Sequence, residues 1–362
     1  MVATAEIVRH LKRELIHAIL ILLFCDPEFL HAYQYGIVIL CADSILRRFF
    51  PRLATYSADY VEKFVFISFS SRTSVDFPYL RVLLVLIKQL GKNPCPTCFI
   101  SKEDIPDMGT VKDRRRQRKQ REDTEKLQTI ISKARKKVFK DGIKLNNKGL
   151  NRMLDNAGSL LPVRNAFSFI RKTDPGFNFY RLFVPDLLHE FELGVWKSTF
   201  IHLVRILETL GVRCTGEFNK RYRLVSTFGT AIRRFSDNPS ELKKLTARDF
   251  EDLLQCSLPV FEGLLPEPHN KIVLDLLFTL GEWHAYAKLR LHTETTLRFL
   301  EEATVNLGRK ARQFRKIVCS AYATKSEFNL NTYKFHALSK YAASIRQFGT
   351  TDSYTTHIVS LD

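Results

Sequence analysis

The sequence predicts an α/β chain that is mostly helical. Two observations carry this. Residues 35–60 are dense in Ile, Val, Phe and Tyr with turn residues at 42–44, the pattern of strands. Beyond residue 140, apolar residues recur at steps of three and four, the pattern of helices packed on one face.

Taken in order, residues 5–24 read as a buried amphipathic helix that stops near Pro27. "YGIVILCADSILRRFFPRLATYSADY" then reads as strand, turn, strand, and a further strand ending near Asp59. "VLLVLIKQLG", 82–91, reads as an apolar helix with Gly91 at its C-cap. Helices follow over 192–211, 240–256, 270–292 and 328–349, two of them closed by Gly211 and Gly349. Three regions result: 1–111 with the small sheet and the only C-x-x-C, 112–140 as a basic helical segment, and 141–362 as the helical bulk.

The 362 residues are 45% hydrophobic, enough for one large or two ordinary cores. Seven cysteines are too few for a disulfide scaffold, and Cys25, Cys41, Cys214, Cys256 and Cys319 sit among apolar residues, as in a reducing compartment. The stretch 15–25 is apolar and follows Arg9, Lys12 and Arg13. It contains His17 and runs into "DPEF" without a small-residue cleavage site, which argues against a secretory signal.

The net charge of +18 favours a polyanionic partner, nucleic acid or an anionic membrane. Half of it lies in residues 112–140, which carry thirteen positive and four negative charges. Arg114, Arg115, Arg116, Arg118, Lys119, Arg121, Lys136 and Lys137 are the candidate DNA-binding residues. A solvated face or a nuclear localisation signal at "RRRQRKQR" fits the same run, and both fit a nuclear DNA-handling protein. The run lacks the bulky aromatics of an interfacial helix, so no membrane partner is expected.

Cys95 and Cys98 in "GKNPCPTCFIS" form the one close thiol pair. A redox pair needs a helix starting at the first thiol, and Pro94 and Pro96 flank Cys95 instead. A structural zinc site needs four ligands, and no second C-x-x-C supplies the other half. Asp59 in "YSADY" and Asp186 in "VPDLLHEF" suit Mg²⁺ ligation. Equally, Asp59 suits a turn and Asp186 the N-cap of a helix starting at Leu187, with His189 three residues on. Signatures of nucleotide hydrolysis, serine hydrolysis and zincin proteolysis are absent.

"YSADYVEK", "NPCPTCFISKEDIPDMGT", "GFNFYRLFVPDLLHEFELGVWK", "FEGLLPEPHNKIVLDLLFTL" and "FNLNTYKFHALSKYAASIRQFGTTDSY" together resemble the transposases of Plavaka-type DNA transposons of mushroom-forming fungi, in the wider CACTA-like group. The resemblance runs in order along nearly the whole chain. It implies an RNase H-like (DDE transposase) core with a large helical insertion, and DNA cutting and strand transfer on Mg²⁺ held by three acids. Asp59 matches the second acid. The resemblance also implies a structural zinc ion on Cys95 and Cys98, with His336 in "YKFHAL" as third ligand and His189 as fourth. Tyr341 stands where related recombinases place a further histidine.

Three departures shape the functional expectation. The first acid belongs upstream of "HAYQYGIVIL", and Asp43, in a turn, is no substitute. The third belongs just after "GTTDSY", where Asp362 is the only acid. Residues 64–81 interrupt a strand-to-helix join and have the look of a translated intron. The expected protein is therefore a nuclear, non-secreted transposase derivative that binds DNA without cutting it. The alternatives are a product without function, or a strand-transfer enzyme if the missing segments are supplied. Mg²⁺ is expected only for an intact relative, and the resemblance leaves a homo-oligomer open.

Overall fold

The computed structural model describes residues 5–53, 55, 86–88, 91–229, 231–242 and 245–355. Asp59, Asp362, the segment 64–81 and the expected third strand lie outside the described residues. The chain is mostly helical, with one two-stranded antiparallel sheet among the described residues. It divides into two compact units, Met1–Lys102 with Gln117–Val184, and Glu103–Arg116 with Pro185–Asp362.

In the first unit, the helix Ala5–Phe24 has the expected bounds but not the expected face. His10, Arg13, His17 and Phe24 are its buried residues, while Leu11, Leu15, Ile19, Leu22 and Leu23 are exposed. Polar partners explain the inversion. The Nδ1 of His17 accepts the Ala166 N–H at 3.3 Å, and Glu14 pairs with Arg135. Asp26 caps the next helix, Pro27–Tyr35, by accepting the Phe29 N–H at 2.8 Å. Among the described residues, no single helix is long and apolar enough to cross a membrane.

The hairpin Ile37–Leu40 and Leu46–Phe49 pairs in the register Ile37↔Phe49 to Leu40↔Leu46. Its turn is held by Asp43, which accepts the Ile45 N–H and pairs with Arg47, so Asp43 is the turn residue the sequence implies. The described part of the predicted 82–91 helix is not helical. Ile87 instead bridges Leu160, and the Lys88 N–H donates to the Ser159 carbonyl at 2.7 Å. A short apolar run carries no period that separates an extended segment from a helix, and here the pairing partner decides.

His10 makes this unit acid-sensitive. Burial, with Arg13 and Arg135 nearby, holds its imidazole down to about 4. The unfolded chain therefore takes up the proton first, near pH 6.5. The neutral His10 contributes stability above that pH, and the contribution is lost as pH falls toward 4. We expect a loss on the order of 1–3 kcal/mol between pH 7 and pH 5, part of which His10→Leu removes in thermal melts. Equal acid sensitivity in parent and variant would count against this.

The second unit is built around the π-helix Leu187–Trp196 and the helices Lys197–Thr209, His269–Ala287 and Glu294–Gln313. Phe191 stacks on Trp283 at 4.8 Å and on His284 at 5.0 Å. The two buried tryptophans are satisfied: Trp196 Nε1 donates to the Phe250 carbonyl and Trp283 Nε1 to the Thr304 hydroxyl. Glu192 and His284 form a buried pair at 3.0 Å. The predicted 192–211 helix thus begins as a π-helix, and the predicted 328–349 helix is two pieces, Tyr333–Ala337 and Tyr341–Phe348, with Gly349 closing the second at φ 91°.

Segment Glu103–Arg116 packs on Glu294–Gln313 through the absence of a side chain. A Cβ at Gly308 would lie 2.2 Å from the Met108 carbonyl oxygen, and Arg312 Nη1 donates to the Pro106 and Met108 carbonyls, both at 2.8 Å. Backbone cannot yield as a flexible side chain does. Gly308→Val is expected to destabilise by about 3 kcal/mol or more, read as a lower denaturant midpoint; an unchanged midpoint would refute this packing.

Candidate metal centre and basic surface

Cys95 lies between Pro94 and Pro96, and the loop bends at Pro96 and Thr97 before a 3₁₀ turn that starts at Lys102. No helix starts at Cys95, so the helix-dipole activation of a redox pair is missing. The loop is pinned by a crossing segment. Cys98 bridges Gln120, the Phe99 N–H donates to the Lys119 carbonyl, and the Arg121 N–H donates to the Thr97 carbonyl at 2.9 Å. Asn93 braces the far side, its amide donating to the Phe99 and Ile100 carbonyls.

His336 sits in Tyr333–Ala337, a helix capped by Thr332, whose hydroxyl accepts the Phe335 N–H. Cys95 and Cys98 in the first unit and His336 in the second are each buried. Two thiols with one imidazole form a soft donor set suited to zinc. The residues therefore fit a metal ion.

His189 is engaged within its own turn. Its Nδ1 lies 2.6 Å from Asp186 Oδ2, and the same oxygen accepts the His189 N–H at 3.2 Å. Asp186, fully buried, is thus the N-cap of Leu187–Trp196, the capping alternative read from the sequence. Glu190 reaches back to the Asp186 N–H, closing the same turn. Tyr341 is buried, and burial with Glu190 and Asp186 nearby holds its phenol well above the usual range. It supplies no imidazole in place of the further histidine.

The basic segment is not one helix. It forms Val111–Gln117 and Glu125–Phe139 with a non-helical stretch between. Arg114, Arg115, Arg118, Lys119, Lys136 and Lys137 are exposed, as a phosphate-binding role needs. Arg116 is committed to Asp104 at 3.0 Å and Asp107 at 2.8 Å. Arg121 is withdrawn from the surface altogether, 1% exposed with its guanidinium bound to backbone carbonyls, so its assignment to DNA binding is corrected. On Glu125–Phe139, Lys126, Lys133, Lys137 and the C-capping Lys140 are all exposed. At 100° per residue they fall within about 60° of one another. The helix's one acid, Glu125, lies off that stripe. The spacing of these lysines was the signal available in the sequence, hidden by the denser arginine run before it.

A cavity of about 340 Å³ in the second unit is lined by Lys197, Arg205, Lys334, Phe328 and Phe335 among others, and none of its lining residues is acidic. No family model, curated protein or solved structure matches the chain.

Proposed function

We propose that this chain is a zinc-braced protein of Plavaka-type, CACTA-like transposase descent that binds duplex DNA without cutting it. One observation carries the binding claim: the exposed lysine stripe of Glu125–Phe139, extended by Lys140 and free of carboxylates. A cationic row of this kind neutralises successive phosphates and releases their counterions, without reading bases. The net charge of +18 supports the same partner.

Zinc is the second part of the proposal. By the resemblance and their donor chemistry, Cys95, Cys98 and His336 would hold it, and the ion would supply cross-linking stability and no reaction. The finer reading of the fold, an RNase H-like core with a helical insertion, and a nuclear location both rest on the sequence resemblance. Cutting is left out because only one acid, Asp59, is matched of the three that the resemblance implies.

The test is a fluorescence titration of a labelled duplex with the full chain, beside a plasmid incubation with Mg²⁺ or Mn²⁺. Binding at low salt with the plasmid left supercoiled is the expected result. No binding at about 50 mM salt would remove the DNA reading, and metal-dependent nicking would remove the non-cutting one.

A further inference from the structure

We infer that Arg121 is the positioning residue of the Cys95–Cys98 loop, holding its backbone in the metal-receptive shape before a metal arrives. The inference deepens the zinc reading above and rests on it. A guanidinium buried to 1% exposure is costly unless its donors are used. Here the Nε–H is shared by the carbonyls of Cys95 at 2.9 Å and Cys98 at 3.2 Å. Nη1 donates to the Gly158 carbonyl at 2.8 Å and Nη2 to the Asn93 carbonyl at 3.0 Å. The ring of Phe99 lies 4.6 Å from the guanidinium carbon.

These contacts select the metal loop rather than the core in general. Three of the four carbonyls come from residues 93–98, and two belong to the proposed ligands themselves. Tying both cysteine backbones to one N–H fixes their separation, which Pro94 and Pro96, lacking N–H groups, cannot do by hydrogen bonding. The fourth anchor admits only glycine. Gly158 has φ 96°, and a Cβ there would lie 2.6 Å from the Phe99 ring and 2.9 Å from Arg121 Nη1. A lysine could not replace the fork, since a single ammonium cannot reach carbonyls spread around a plane.

The test measures zinc affinity of the full-length protein by competition with a chromophoric chelator, and the visible spectrum of the cobalt-substituted form. Arg121→Lys, folded by circular dichroism, is expected to bind zinc about tenfold or more weakly and to show an altered cobalt spectrum. Leu154→Ala, a cavity in the same unit's core, is expected to lower thermal stability and keep the parental zinc affinity. Phe99→Leu, which keeps an apolar side chain under the guanidinium, is the second variant should Arg121→Lys fail to fold, with a few-fold weaker affinity expected. Parental affinity in the Arg121 and Phe99 variants would overturn the inference while leaving the zinc reading standing. Equal weakening in Leu154→Ala would reduce Arg121 to a folding residue. Absence of zinc in the parent would overturn both.

Discussion

Cys95→Ser is expected to strip the protein of zinc and to lower its stability by several kcal/mol, on the order of a third or more of a typical domain's total. Cys95, Cys98 and His336 offer three donors, so losing one thiolate removes a third of the ligands these residues offer. His336→Ala should do the same, since the imidazole is the one nitrogen donor of the three. Cys256→Ser serves as control: that thiol is buried elsewhere, and burial pushes it up to about 11. Metal content by mass spectrometry under native conditions gives the readout. Equal content in Cys95→Ser, His336→Ala and parent would end the zinc assignment.

The second large effect concerns DNA. Reversing Lys126, Lys133, Lys137 and Lys140 to glutamate removes four phosphate contacts and installs four repulsive ones. With about 0.9 of log–log salt slope per contact, the neutral four-alanine variant is expected to lose nearly four from the slope, and the glutamate variant to lose detectable binding near 100 mM salt. The side chains are exposed, so the fold should survive, with each substitution shifting stability by about 0.5 kcal/mol or less. Arg121→Ala is the instructive contrast. Counted along the sequence it belongs to the basic run, yet its effect should fall on folding and metal retention and not on the salt slope.

That contrast shows where reading the sequence stops. The bounds of Ala5–Phe24, the turn at Asp43 and the cap at Asp186 were all legible, because each rests on local chemistry. The face of Ala5–Phe24 was not. Its apolar residues point outward because His17 and Glu14 find partners at Ala166 and Arg135, more than a hundred residues away. Arg121 was hidden for the same reason: the carbonyl of Gly158 that receives it leaves no mark beside it in the chain. Charge runs look uniform in sequence, and only tertiary partners decide which members face water. Leu86–Lys88 shows the matching limit for apolar runs, since the bridge to Leu160 fixes an extended path that composition does not.

DNA binding through the lysine stripe is the central claim, and salt dependence tests it most directly. The observed association constant of the full chain for a labelled duplex should fall linearly on a log–log plot against salt. The expected slope is about −4 or steeper, an affinity loss of roughly a hundredfold or more between 50 and 200 mM. A flat line, or the same slope in the parent and in the four-alanine variant, would contradict it.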